Sequence, residues 1–198
     1  MRCAPFGLWP LWLAARLRGL AIRLVGRLQR LSSFRTWVKR FRPAYTIQEA
    51  SQSDLLALNA WLNPDSEPAL PASERIASPH STSYVARCGE QVLGSVRLVR
   101  HPETDSPHTG YWLYSLTVRA RYRGMGLGAA LTQRVIDQSR SEGAAELFLD
   151  VSEDNLPAIA LYRKLGFEPV TPPVLEAERA ADLHNYGRRR MPLRKLLG

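Results

Sequence analysis

One short segment constrains the fold of this chain more than any other: the glycine-rich stretch RARYRGMGLGAAL, residues 119–131. It follows the alternating segment 111–118, which is typical of a β-strand, and it opens an amphipathic segment that is typical of a helix. Three alternate glycines, Gly124, Gly126 and Gly128, therefore stand where a helix begins. Unpaired N–H groups and the helix dipole favour an anion at such a point. The sequence predicts a strand–turn–helix unit that binds a phosphate group.

Two familiar glycine-rich phosphate sites do not fit this segment. A dinucleotide-binding turn would need a parallel βαβ unit and an acidic residue about 20 positions further on, and a P-loop would need Gly-Lys-Ser/Thr. The segment has no lysine, and the elements before it read as an antiparallel meander. Arg121 and Arg123 add positive charge nearby. A tight turn that holds no ligand stays open as the alternative.

The rest of the chain predicts a mixed domain of strands and helices. The predicted strands are 45–50, 83–88, 91–100, 111–118, 146–151, 167–170 and 186–193, and the predicted helices begin at the Ser53-Asp54 N-cap and cover 126–141 and 155–165. Residues 63–79 read as a long connection, and Gly89-Glu90 between two predicted strands reads as a hairpin loop. We expect an α/β or α+β three-layer domain over residues 45–198, with a largely antiparallel sheet flanked by helices.

Residues 1–44 form a separate basic arm. Ten of the 27 basic residues lie in residues 1–48, which hold no acid, so the remainder carries 17 basic and 18 acidic residues. Leucines recur at steps of three and four over residues 13–31, and the arginines fall elsewhere, which predicts a basic amphipathic helix. The uncharged stretch 3–15 is shorter than the ~20 residues that cross a bilayer.

Four functions are open for the arm. They are contact with an anionic membrane surface through residues 8–31, an organelle transit peptide, packing against the domain or a homodimer partner, and non-specific binding of nucleic acid. We favour the membrane surface and do not expect nucleic acid. The expected location is cytoplasmic, peripheral at the inner membrane face.

Two motifs together resemble one known family. Residues 123–128, RGMGLG, resemble the R-x-x-G-x-G/A signature of the GNAT acyltransferases. Residues 151–167, VSEDNLPAIALYRKLGF, resemble the V-x-x-x-N-x-x-A-x-x-L-Y-x-x-x-G-F pattern of the same family. Two signatures in the right order are far more specific than either alone. The resemblance covers residues 45–193 and leaves out the arm.

The resemblance implies a GNAT-type fold, in which strands 111–118 and 146–151 are adjacent and roughly parallel and separate at a bulge. The pantetheine arm of acetyl-CoA lies in the gap. The cofactor-binding residues that it implies are Leu116, Thr117, Val118, Arg123, Gly124, Met125, Gly126, Leu127, Gly128, Ala129 and Asn155. From the residues alone, Asn155 would be a helix N-cap.

The implied reaction moves an acetyl group from acetyl-CoA to a primary amine by direct attack. Tyr162 is then the general acid that protonates the leaving thiolate, whereas without the resemblance it would be a core aromatic. The base is open, because strand 111–118 holds no acid. Glu153, Asp154, His101, His108 and water are the candidates.

No metal is expected, because the four histidines show no zinc spacing and the two cysteines, Cys3 and Cys88, give neither metal-ligand spacing nor a disulfide framework. The acceptor amine cannot be decoded from the sequence. The competing functions are a catalytically inactive module that binds acyl-CoA or docks a partner, and a nucleic-acid-binding protein that acts through the arm.

Overall fold

The computed structural model describes residues 43–62, 80–102, 108–170 and 189–198. The predicted basic arm, residues 1–44, lies almost wholly outside these ranges, so its amphipathic helix stays a prediction. The described elements are β1 (Thr46–Glu49), α1 (Gln52–Leu62), β2 (Ser81–Cys88), β3 (Gln91–His101), β4 (Gly110–Val118), a 3-10 turn (Ala120–Tyr122), α2 (Leu127–Ser141), β5 (Glu146–Ser152), α3 (Leu156–Lys164), β6 (Glu168–Pro169) and β7 (Arg190–Leu196).

Seven strands form one sheet in the order β1-β2-β3-β4-β5-β7-β6. The pairs β1–β2, β3–β4, β5–β7 and β6–β7 are antiparallel, and β4 and β5 are parallel. β2 and β3 are joined by Gly89 and Glu90, the predicted hairpin loop. The expected fold class, a mixed and mostly antiparallel sheet with flanking helices, is confirmed.

The alternation of the central strands divides the sheet into two faces. A side chain added at Gly94 of β3 would meet Leu131 of α2, which places α2 against the face that Gly94 shares. Apolar side chains of this face and of α2 form the core, and all of them are buried: Leu98, Leu113, Leu131, Val135, Ile136, Leu147 and Leu149. Burial of this surface drives the packing of α2 on the sheet.

We call the opposite side of the central strands the distal face. Its residues alternate with the core leucines, and most of them are half-buried: Arg97, Val99, His101, Trp112, Tyr114, Phe148 and Asp150. Polar, charged and aromatic side chains dominate this face, in contrast to the apolar face under α2. The distal face therefore carries the side chains of the central strands that could bind a ligand or transfer a proton.

Several element boundaries differ from the sequence prediction by one to four residues. Helix α1 begins with Ser51, not with Ser53-Asp54: the Ser51 hydroxyl accepts from the Asp54 N–H at 3.2 Å, and Asp54 Oδ2 accepts from the Ser51 N–H at 2.9 Å. This reciprocal arrangement is a capping box, and Arg87 holds the Asp54 carboxylate at 3.0 Å. The last strand starts at Arg190, not at Tyr186.

Cys88, the last residue of β2, is disulfide-bonded. The sequence analysis gave no disulfide framework and did not predict this bond.

Candidate active site

Strands β4 and β5 separate soon after they begin. They pair only at Tyr111 with Leu147 and at Trp112 with Phe148. β4 then runs on to Val118, and β5 runs on to Ser152, without a further pairing between them. The other edge of each strand is paired, β4 with β3 and β5 with β7. A wedge-shaped gap therefore opens between two strands of one sheet, and main-chain polar groups of β4 border it.

A bulge in β4 accompanies this separation. The register with β3 shifts between Ser95 and Arg97, because Ser95 pairs with Thr117 whereas Arg97 pairs with Tyr114. β4 therefore holds one extra residue in this stretch, and Ser115 there has φ +55°, the only positive value at a non-glycine among the described residues. Such a bulge bends a strand and disrupts its ladder locally. The gap and the bulge agree with the expectation from the family resemblance.

The glycine-rich turn lies where β4 ends. Gly124 has φ +76° and Gly126 has φ +90°, so both adopt a conformation that suits glycine. Gly126 is the N-cap of α2, and no side chain caps the helix. The first N–H groups of α2 are thus left for another acceptor. The predicted strand–turn–helix unit is present.

Gly128 lies at the closest approach of three elements. A Cβ atom at this position would be 3.3 Å from Leu161 Cδ2 of α3 and 3.9 Å from Val118 Cγ2 of β4. Helix α3 therefore packs beside the start of α2 and the end of β4. Because Gly128 has no side chain, the side chains of Leu161 and Val118 can approach the backbone of α2 closely.

Two of the three arginines that precede the turn have different roles. Arg123 is exposed, and its Nε donates to the Val118 carbonyl at 3.1 Å, so its guanidinium lies beside the end of β4. Arg119 instead donates to the Val92 carbonyl at 2.7 Å and stacks over the Trp61 ring of α1 at 4.5 Å. Arg119 is a structural residue, whereas Arg123 stands next to the uncapped helix start.

Tyr162 lies on α3, one residue after Leu161. It is 6% exposed, and its ring packs edge-to-face on Phe167 with 5.7 Å between the ring centroids. Burial raises the pKa of Tyr162 to about 12. The phenol is therefore neutral and a hydrogen-bond donor across the physiological pH range.

Asn155 is the N-cap of α3, as its residue type alone predicted. Its Oδ1 accepts from the Ala158 N–H at 3.3 Å. This cap uses the side-chain oxygen and not the Nδ2 group. Asn155 is exposed, so its amide nitrogen faces outward from the helix start.

Aromatic rings and histidines cluster on the distal face beside the gap. The Trp112 ring stacks on Phe148 at 5.3 Å and on Tyr114 at 6.1 Å. His108 meets Trp112 edge-on at 4.8 Å, and His101 lies 6.2 Å from His108. Burial, with His108 and His80 nearby, lowers the pKa of His101, so its imidazole is neutral at neutral pH.

Sequence reasoning passed over two residues of the distal face. Asp150 stands in the middle of β5, on the side of Phe148, where β5 has already left β4. Strand alternation in ELFLDVS could have found it, because every second residue of that strand is a buried apolar one. Arg97 of β3 is the other residue. The earlier base candidates Glu153 and Asp154 lie instead in the exposed turn after β5.

The described residues contain no group of three or more His, Cys, Asp or Glu side chains that could hold a metal ion. In the same ranges, no helix has both the length and the hydropathy of a membrane span.

Comparison with curated proteins finds relatives over the same region. The RimI N-alpha-acetyltransferase of Mycobacterium tuberculosis is 30% identical over 127 residues, which are 64% of this chain and 77% of the relative. Human N-acetyltransferase 8B is 30% identical over 112 residues, 52% of this chain and 49% of the relative. The mycothiol acetyltransferase of Kocuria rhizophila is 42% identical over 80 residues, 40% of this chain and 26% of the relative. Two of these three matches cover less than half of the relative.

Solved structures share the fold at low identity. YncA from Salmonella typhimurium, solved with its cofactor acetyl-CoA, has a TM-score of 0.61 and 19% identity, and the match covers 78% of this chain and 95% of that one. The ribosomal-protein-S18-alanine N-acetyltransferase from Escherichia coli has a TM-score of 0.56 and 20% identity, with the same coverage.

The profile of the Acetyltransferase (GNAT) family matches residues 44–167, well over half of the chain and the whole of the region that holds the gap, the glycine-rich turn and Tyr162. This chain belongs to the GNAT family of acetyltransferases.

Proposed function

We propose that this acetyltransferase moves an acetyl group from acetyl-CoA to a primary amine by direct attack. The observation that carries the proposal is the gap between β4 and β5, which leads to the uncapped start of α2. A long, narrow thioester with a pyrophosphate at one end has the shape and charge that such a site would accept. The acetyl-CoA bound to YncA and the N-alpha-acetyltransferase activity of RimI support the proposal.

The cofactor would lie along the predicted residues. Main-chain groups of Leu116, Thr117 and Val118 border the gap on β4. The pyrophosphate would rest on the N–H groups of residues 124–129, with Arg123 as a flanking cation. Gly128 fits this role, because a side chain there would enter the junction between α2, α3 and β4. Asn155 would offer its amide nitrogen to the pantetheine.

Tyr162 would act on the leaving sulfur. Its pKa of about 12 keeps the hydroxyl protonated. A phenol with this pKa is a weaker acid than a thiol, whose ordinary pKa is about 8.5. The general-acid role is therefore mainly a hydrogen bond that stabilises charge as it develops on sulfur, and proton transfer follows late.

Asp150 would take the proton of the amine, directly or through a water molecule. It is the acidic residue of β5 on the distal face beyond the last β4–β5 pair, where the gap is already open. His101 is the second candidate, because its imidazole is neutral. We expect Asp150→Asn to lower kcat by roughly 100-fold or more, and His101→Gln to change it little, since loss of a general base typically costs 10²–10⁴-fold. The reverse ranking would assign the base to His101.

The proposal is tested by calorimetry with coenzyme A and by thiol release from acetyl-CoA over an amine panel. Wild-type protein should bind coenzyme A and release thiol with at least one amine. Tyr162→Phe should bind coenzyme A equally well and turn over more slowly. Binding without release for every amine would favour the acyl-CoA-binding module, and no binding would refute the acetyltransferase site.

The arm adds a separate proposal. We infer that residues 8–31 contact an anionic membrane surface, which would place the protein in the cytoplasm at the inner membrane face. Support comes only from the basic amphipathic pattern. A homodimer through the arm stays a prediction, and nucleic-acid binding remains the alternative.

A further inference from the structure

Arg97 is a cation of the sheet that has no ion-pair partner among the described residues. It lies on β3 opposite Tyr114, on the distal face, and is half-buried. Its Nε is buried and makes no hydrogen bond. None of the ion pairs or cation–π contacts found within the described ranges includes it. Burial lowers the pKa of its guanidinium, which still remains charged at any physiological pH.

Other half-buried arginines of the same sheet do have partners. Arg87 holds Asp54 at 3.0 Å, and Arg100 holds Glu142 at 2.6 Å through two parallel hydrogen bonds. Arg119 donates to a main-chain carbonyl. Leaving a guanidinium partly desolvated without a partner is unfavourable for folding. The exception at Arg97 therefore calls for a partner that is not part of this chain's described residues.

The position of Arg97 indicates what that partner is. The register shift that makes the β4 bulge lies between Ser95 and Arg97, so Arg97 flanks the bulge from the neighbouring strand, about 4.8 Å away. In the proposed function, the cofactor runs along Leu116, Thr117 and Val118 with its pyrophosphate at residues 124–129, so its thioester end would lie toward this bulge. A guanidinium there is within reach of the acceptor and distant from the pyrophosphate end of the gap.

The charges on the distal face are arranged for a polar acceptor. Asp150 stands on the β5 side of the gap and Arg97 on the β3 side, with Tyr114 of β4 between them and His101 four residues further along β3. If the amine of the acceptor lies at Asp150, the rest of the acceptor extends toward Arg97. A guanidinium binds carboxylate and carbonyl oxygens well and does not bind an alkyl chain with comparable strength.

We propose that Arg97 binds an oxygen on the carbon next to the one that carries the acceptor amine, so that the acceptor is an α-amino acid or the α-amine of a peptide, not a simple alkylamine or a lysine side chain. This inference rests on the proposed function and names its substrate class. Arg97 is a specificity-determining residue in this scheme, and it takes no part in proton transfer.

The experiment uses acetylated products as probes, so that it does not depend on turnover. The protein saturated with coenzyme A is titrated in a calorimeter with N-acetyl-L-alanine, N-acetyl-L-alaninamide and N-isopropylacetamide. The first probe carries a carboxylate, the second a carbonyl, and the third neither. We expect at least one of the first two to bind roughly 10- to 100-fold more tightly than the third, the effect of a charge-assisted hydrogen bond.

Variants assign that preference to Arg97. Arg97→Met should abolish it, Arg97→Lys should keep part of it, and the control Arg134→Met on α2 should keep all of it, because Arg134 stacks on Tyr84 away from the gap. Coenzyme A binding by every variant, measured first, separates this test from that of the proposed function and confirms folding.

Each outcome of these titrations either supports the inference or overturns it. A preference for the carboxylate probe alone supports a free amino acid, and similar binding of both oxygen-bearing probes supports a peptide α-amine. Equal binding of all three probes, no binding of any, or a preference that persists in Arg97→Met would overturn the inference.

Discussion

At the scale of single residues, Gly94 of β3 allows the bulged strand β4 to lie close to it, because glycine has no side chain. A Cβ atom on Gly94 would lie 2.6 Å from the Thr117 carbonyl oxygen, which belongs to the backbone and cannot move aside. We expect Gly94→Ala to lower the free energy of unfolding by about 1–3 kcal/mol, the usual cost of overpacking. It should also weaken coenzyme A binding, because Thr117 borders the gap. Denaturant unfolding and calorimetry measure the two effects.

Gly128→Ala is the matched control for that substitution. Its Cβ would meet the tip of the Leu161 side chain at 3.3 Å, and that side chain can shift by a few tenths of an ångström. Alanine also favours the helix over glycine by about 0.5–1 kcal/mol. We expect the stability of Gly128→Ala to stay within about 1 kcal/mol of wild type. Equal losses for the two variants would show that the Thr117 carbonyl does not set the cost.

Tyr162 gives a prediction about pH at the same scale. Burial raises its pKa to about 12, so the neutral form persists further into the alkaline range than that of an ordinary tyrosine. The ratio of wild-type kcat to Tyr162→Phe kcat should therefore stay constant between about pH 7 and pH 10. A tyrosine with the ordinary pKa of about 10 would be half ionised at the upper limit. A ratio that halves there would contradict the raised pKa of Tyr162, and a ratio of one at every pH would contradict the hydrogen-bond role.

At the scale of elements, one ion pair joins the end of β3 to the end of α2. Arg100 donates from Nε and from a terminal nitrogen to the two oxygens of Glu142, and it also donates to Thr82 of β2 at 2.9 Å. The hydrogen bonds from Arg100 are the main cause that lowers the pKa of Glu142 to about 2. The pair holds the C-terminal end of α2, whereas no side chain caps its N-terminal end.

The lowered pKa of Glu142 predicts how stability depends on pH. A carboxyl whose pKa is lower in the folded state than in the unfolded state contributes stability above its unfolded pKa of about 4.5 and loses it as the pH falls toward about 2. After discounting for solvent screening, the contribution is on the order of 1 kcal/mol. Thermal unfolding between pH 6 and pH 2.5 should show this loss in wild type and a smaller slope in Glu142→Gln.

Gln138→Ala is the control for that experiment. Gln138 donates to Glu142 from the same helix at 2.8 Å and carries no charge. Its removal should change the pH slope much less than Glu142→Gln does. If the pH slope of Glu142→Gln equalled that of wild type, other carboxyl groups would account for the loss of stability at low pH.

At the scale of the whole molecule, the chain combines a basic arm with a catalytic domain of nearly balanced charge. Deleting residues 1–40 should move the protein from a membrane fraction to a soluble one, because each basic residue near anionic headgroups contributes about 1 kcal/mol. Sedimentation with vesicles of 30% anionic lipid, against neutral vesicles as the control, measures the effect. Equal distribution of the full and shortened chains would remove the membrane proposal, and salt-sensitive binding to DNA that disappears with the arm would support the nucleic-acid alternative.

Features of the fold that depend on interactions between residues close in sequence could be predicted, and features that depend on distant contacts could not. Local signals predicted most strands and helices, the Gly89–Glu90 hairpin and the glycine turn, because periodicity and glycine placement act within a few residues. The cap of α1 was assigned two residues late, since Ser51 and Ser53 are equivalent as sequence signals and only the reciprocal bond with Asp54 distinguishes them. The start of β7 was misplaced because its boundary depends on pairing with β5.

The sequence by itself therefore determined the order of elements, the family resemblance and the segment that would hold a pyrophosphate. Tertiary structure alone decided that β4 carries its extra residue at Ser115, that β5 separates from β4 after two paired residues, and that Arg97 and Asp150 lie on the same face of the sheet. Those features arise from contacts between strands far apart in the chain, and residue type carries no information about which distant partner a strand will meet.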